Sequence, residues 1–102
     1  MLVFEDMANE QKIQINFPND LRGGVYANNM FVSHTHEEFI MDFIMVVSPA
    51  GTVTARVITS PGHMKRIIAA LQENMKRYEQ KFGELQPAEE PDKPLNFEGG
   101  YL

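Results

Sequence analysis

The sequence predicts an α+β fold: a four-stranded antiparallel meander followed by one long amphipathic helix, assembled as an oligomer. Three observations carry this. Residues 12–17 alternate apolar and polar, residues 38–59 read as a strongly apolar β-hairpin, and residues 61–82 carry apolar side chains at helical spacing. The 102 residues suffice for one domain, near the size where a single core is adequate without being generous. The chain divides into an arm (1–10), one α+β domain (11–84) and an acidic, Pro-rich tail (85–102) that reads as disordered.

The arm has no periodic signal, and Met7 reads as an alternative start of the protein. From Lys12 to Phe17 the residues Ile13, Ile15 and Phe17 share one face and Lys12, Gln14 and Asn16 the other, which is a half-exposed strand. Pro18-Asn19-Asp20 and Gly23-Gly24 mark the following loop. Val25–Ser33 is the second strand, apolar on both faces. His34 to Glu37 is the connection, a four-residue loop on a type I turn. The third strand, Glu38 to Ser48, is the most hydrophobic. Phe39, Met41, Phe43, Met45 and Val47 lie on one face, with Ile40, Asp42, Ile44 and Val46 on the other. Pro49-Ala50-Gly51 reads as a three-residue loop with Gly51 in the left-handed conformation. That loop places Phe43 opposite Val57, Met45 opposite Ala55 and Val47 opposite Val53, and sets Asp42 diagonal to Arg56.

Ser60 is a suitable N-cap and Pro61 suits the first helical position. Met64, Ile68, Leu71, Met75, Tyr78 and Phe82 then form a stripe at alternating spacings of four and three, and Gly83 supplies the C-terminal cap.

Composition excludes several classes of function. There is no cysteine, so disulfides, thiol chemistry and Cys-based zinc sites are ruled out. No apolar run is long enough to span a bilayer, and no signal peptide is visible, so a cytoplasmic location is expected. A net charge of −5 argues against nucleic acid as a partner. The charge is uneven: Pro61 to Gly83 holds five basic residues against two acids, and Glu84 to Leu102 holds five acids against one lysine.

No catalytic constellation is present, and no cofactor is implied. Ser33, Ser48 and Ser60 lack a base and its orienting partner, and neither Gly-Gly pair precedes a helix as a phosphate loop would. The metal-like candidates are His34 and His36 in His-Thr-His-Glu-Glu, since an H-x-H on an extended strand points both rings the same way. A solvated turn explains that composition more simply, and His63 reads as a locally packed residue of the first helical turn. Asp42 with Arg56 reads as a structural ion pair. The surplus apolar surface, Ile40, Ile44 and Val46 on the sheet and Met75, Tyr78 and Phe82 on the helix, points to self-association as a homodimer or tetramer. The expected function is non-enzymatic: an interaction module binding protein or peptide in a chaperone-like way through that surface. The alternative is a metal-binding protein or metal-dependent enzyme using His34 and His36.

A further pattern runs through Gly24-Val25-Tyr26-Ala27-Asn28, Glu38-Phe39 with Asp42-Phe43, Ser60-Pro61-Gly62-His63-Met64-Lys65-Arg66, Ala70-Leu71-Gln72-Glu73-Asn74 and Phe82-Gly83. It resembles a small bacterial and archaeal family of domains of unknown function, over roughly residues 11 to 84. The resemblance implies no activity, and its motif residues read as turn, strand and cap determinants. In topology alone, four antiparallel strands and a long helix are similar to the SecB export chaperone, a dimer of dimers that holds unfolded chains.

Overall fold

The structure, a computed structural model, describes residues 11–89 together with the backbone of Leu2–Asp6. The elements in order are β1 (Leu2–Asp6), β2 (Gln11–Ile15), a 3-10 turn at Asn19–Leu21, β3 (Asn29–His34), β4 (Phe39–Val47), β5 (Ala50–Thr59) and α1 (Pro61–Phe82). Two compact units result, residues 1–64 and residues 65–102.

In the first unit the expected four-stranded meander is replaced by two sheets. β3, β4 and β5 form a three-stranded antiparallel sheet with β4 in the centre, and β1 and β2 form a separate antiparallel pair. The strand expected at residues 12–17 therefore pairs with Leu2–Asp6, inside the stretch read as an arm, and not with residues 25–33. In that register Leu2 stands opposite Ile15 and Phe4 opposite Ile13. The segment between β2 and β3 is occupied by the 3-10 turn, closed by a Leu21 N–H to Pro18 carbonyl bond, and by Gly24 at φ +69°.

The β4–β5 hairpin also departs from the expected register. The chain reverses over Ser48-Pro49, joined by a cis peptide, with Val47 opposite Ala50. Gly51 consequently lies within β5 opposite Val46 and not in a positive-φ loop position. A β-bulge follows, with one β5 residue between the partners of Ile44 and Phe43. Ile44 faces Val53 and Phe43 faces Ala55, leaving Thr54 as the extra residue, whose hydroxyl donates to the Phe43 carbonyl at 3.2 Å. Beyond the bulge Met41 faces Val57, and Asp42 stands directly opposite Arg56 rather than diagonal to it. The bulge also moves Val53 to the opposite sheet face from Val57, because each inserted residue reverses the alternation.

The helix matches its sequence signals. The Ser60 hydroxyl accepts the His63 N–H at 3.2 Å, Pro61 opens the helix, and Gly83 at φ +97° closes it. Burial centres on β4. Among the described residues only Met41, Asp42, Ile44 and Met64 are buried.

Candidate interaction surface

Pairing around β4 defines two faces of the three-stranded sheet. One carries Met30, Val32, Phe43, Met45, Val47 and Val57; the other carries Phe31, Ile40, Ile44, Val53 and Ile58, with Asp42 and Arg56 in its middle. Both faces are apolar, and both remain largely open. Met30 is 53% exposed and Ile58 equally so. Of the sheet residues expected to form the association surface, Ile44 is instead core at 2% exposure, and Ile40 and Val46 are half-buried. Ile44 is buried because β4 is the central strand, flanked by Asn29 on one side and Val53 on the other.

Within the second unit, the helical stripe is open along its length. Leu71, Met75, Tyr78 and Phe82 are all exposed, Phe82 at 66%. The Tyr78 and Phe82 rings pack at 4.9 Å, as i,i+4 neighbours do, and the Lys81 ammonium sits 5.3 Å from the Phe82 ring centre. The three residues expected to associate are thus aligned and exposed on one helix face, whereas Ile44, their counterpart on the sheet, is buried.

The Asp42–Arg56 pair is bidentate, with Arg56 Nε donating to Asp42 Oδ1 at 2.6 Å and Nη2 to Oδ2 at 2.8 Å. The carboxylate is 3% exposed and the guanidinium side chain 50% exposed, so the cation meets solvent at the sheet face while the anion sits in the apolar layer. This is a fixed structural ion pair, as expected from the sequence.

The two candidate metal ligands are not brought together. His34 ends β3, opposite Phe39, and its ring packs against the Phe39 ring at 5.4 Å. His36 lies in the following turn, where its Nδ1 pairs with Glu37 Oε1 at 3.0 Å on open surface. Thr35 organises that turn: its hydroxyl accepts the Glu37 and Glu38 N–H groups, and its own N–H donates to the Glu38 carbonyl at 2.9 Å. Among the described residues no group of three or more His, Cys, Asp or Glu could hold a metal ion.

One residue was not visible as functional in the sequence. Asn28 precedes β3, yet its side-chain amide donates to the Val46 carbonyl at 2.9 Å while its Oδ1 accepts the Val46 N–H at 2.8 Å. Its own N–H donates to the Ile44 carbonyl at 3.1 Å. Asn28 thereby continues the β3–β4 ladder with its side chain and ends the backbone strand at Asn29, which is why Val25–Asn28 is not strand. The adjacent Asn-Asn pair ahead of an apolar run was the available signal.

Fold and surface together define the class: a small α+β protein whose sheet and helix each leave an apolar side uncovered. The chain belongs to the family described as protein of unknown function (DUF3467), whose family model matches residues 4–87. No curated protein and no solved structure matches it. The topological likeness to the SecB chaperone gains no support, and among the described residues the strands form two sheets instead of the single four-stranded one on which it rested. No helix among the described residues is long and apolar enough to cross a membrane.

Proposed function

We propose that this domain is a homo-oligomeric interaction module, in which a second copy covers the open sheet face and the distal helix stripe. The observation that carries it is the burial of only four of the described residues in a chain rich in apolar strands. Each large apolar side chain left in water forgoes roughly 1.5–3 kcal/mol, and a single chain so sparsely buried has little to set against its conformational entropy. A second copy is favoured over an oppositely charged partner because the face bearing Met30, Val32 and Val57 carries no charge on β3 or β5. Charge depletion marks the centre of an interface, and a two-fold axis makes any apolar patch complementary to itself.

Light scattering on a size-exclusion column tests this. A dimer or tetramer is expected, with a melting temperature that rises with protein concentration. A monomer that unfolds cooperatively at a concentration-independent temperature overturns the proposal.

Exposed methionines favour a second reading, in which the assembled surface also holds unfolded polypeptide. Met30 and Met75 are both about half exposed, and the methionine side chain adapts to varied apolar partners. Suppression of the aggregation of an unfolded client by the purified protein is the expected result. No suppression at excess protein removes this reading.

A further inference from the structure

The charges beside the helical stripe are arranged to fit a second copy in one orientation. Ile68, Leu71, Met75, Tyr78 and Phe82 are all exposed and alternate at spacings of three and four, the repeat by which two helices share an apolar seam. The positions flanking such a seam carry Lys65, Gln72 and Glu79 on one side and Ile67, Asn74 and Lys81 on the other. Lys65 and Glu79 are two heptads apart, about 21 Å along the helix, so they cannot pair within one chain. Glu79 is held in place beside the stripe: it is half-buried, and its Oε2 accepts the Leu85 N–H at 2.9 Å. Glu73 and Arg77, on the face away from the stripe, instead pair with each other at 3.4 Å.

We propose that the stripe is the seam of an antiparallel helix pair with a second copy, Lys65 of each chain lying beside the partner's Glu79. The pair rests on the self-association proposed for this domain and gives it a geometry. In an antiparallel pair each flank of the seam meets the same flank of the other helix. A two-fold axis level with Glu73 layers Ile68 on the partner's Tyr78 and Leu71 on the partner's Met75, each twice by symmetry. The same axis sets Lys65 against the partner's Glu79, again twice. Gln72 and Asn74 each meet their own copy, and Lys81 meets Ile67, so no like charges face each other. A parallel pair would set Asn74 against Glu79 and Ile67 against Gln72, and would pair no charges. Sliding the antiparallel pair by one heptad toward the helix end keeps as many apolar layers but puts Gln72 against Glu79. Charge complementarity therefore selects both the orientation and the register. Leu85, Pro87 and Ala88, which line a groove with Met75 and Glu79, add apolar surface on that flank.

The absence of cysteine makes a direct test available. Ile68→Cys and Tyr78→Cys, both at exposed positions, are purified separately as full chains and then mixed under mild oxidation at low salt. The mixture is expected to form covalent dimers about tenfold faster than either variant alone, because only unlike thiols come within disulfide reach. Like thiols stand about 15 Å apart along the seam. Either variant closing alone as fast as the mixture overturns the antiparallel arrangement, and no closure in the mixture overturns the helix pair. The register is read by charge. Lys65→Glu alone and Glu79→Lys alone each place like charges at both contacts, and each is expected to weaken association about tenfold in a dilution series at low salt. Mixing those two variants restores both pairs between unlike chains and is expected to recover the parent's affinity, with helical circular dichroism unchanged throughout. No weakening, or no recovery between folded variants, overturns the pairing of Lys65 with Glu79. The native mass of the parent separates the two proposals: a dimeric parent without thiol closure defeats the helix pair alone, and a monomeric parent defeats both.

Discussion

Asn28 and Asp42 show how much of this small sheet rests on single polar side chains. Asn28 makes with its carboxamide the two hydrogen bonds that a strand residue makes with its backbone, to the N–H and carbonyl of Val46. Asn28→Ala removes both, and the expected cost is about 1–2 kcal/mol. Asn28→Asp keeps the acceptor but loses the donor, so it should fall between the two. Urea midpoints at one fixed protein concentration measure the series. Asp42 is different in kind, because it is a carboxylate in an apolar layer held by Arg56 from the neighbouring strand. Arg56→Ala leaves that charge buried without its bidentate donor, at an expected cost of about 3 kcal/mol, the low end for a broken buried pair because the guanidinium is half in solvent. The double variant Asp42→Leu/Arg56→Leu is expected to recover most of that loss, since it removes the buried charge together with its partner. A double variant as unstable as Arg56→Ala would show that the pair serves something other than local charge balance.

At the scale of elements, the helix is specified locally and the hairpin is not. Ser60, Pro61 and Gly83 bound the helix by capping chemistry that involves only neighbouring residues. Ser60→Ala is expected to cost about 1 kcal/mol by leaving the His63 N–H without its acceptor. Gly83→Ala forces a side chain into the left-handed region and is expected to cost about 1–2 kcal/mol. Helical circular dichroism followed through thermal unfolding reads both, and an unchanged midpoint for Gly83→Ala would contradict the φ of +97°. The β4–β5 hairpin instead depends on which of two adjacent turn signals the chain uses. Proline and glycine lie within three residues of each other, and the turn forms at Ser48-Pro49. The bulge at Thr54 then brings Asp42 and Arg56 face to face. Alternation alone does not reveal a bulge, because one inserted residue leaves each half of the strand with a regular pattern.

For the whole molecule, the exposed apolar surface sets the expectation. Met30→Lys together with Val57→Lys places two charges on one open sheet face, at positions where a single folded chain tolerates them. Light scattering of this variant is expected to show a smaller native mass than the parent, with helix content retained. An unchanged mass would move the association surface off that face. The sequence made the surplus legible, since both faces of β3 and β4 were apolar on inspection. It misplaced part of it, because Ile44 lies inside the sheet's own core and Phe31, Val53 and Ile58 are the open residues on that side.

By itself the sequence determined the α+β class, the bounds and caps of the helix, the central apolar strand, the ion pair and the absence of thiol chemistry. These follow from local periodicity, capping and composition, which each residue carries with its neighbours. The tertiary structure alone decided that β2 pairs with β1, that the hairpin turns at Pro49 with a bulge at Thr54, and that Asn28 lends its side chain to the ladder. Strand pairing and register depend on which distant segments meet, and several pairings of similar apolar strands satisfy the same alternation until the backbone's hydrogen bonds select one.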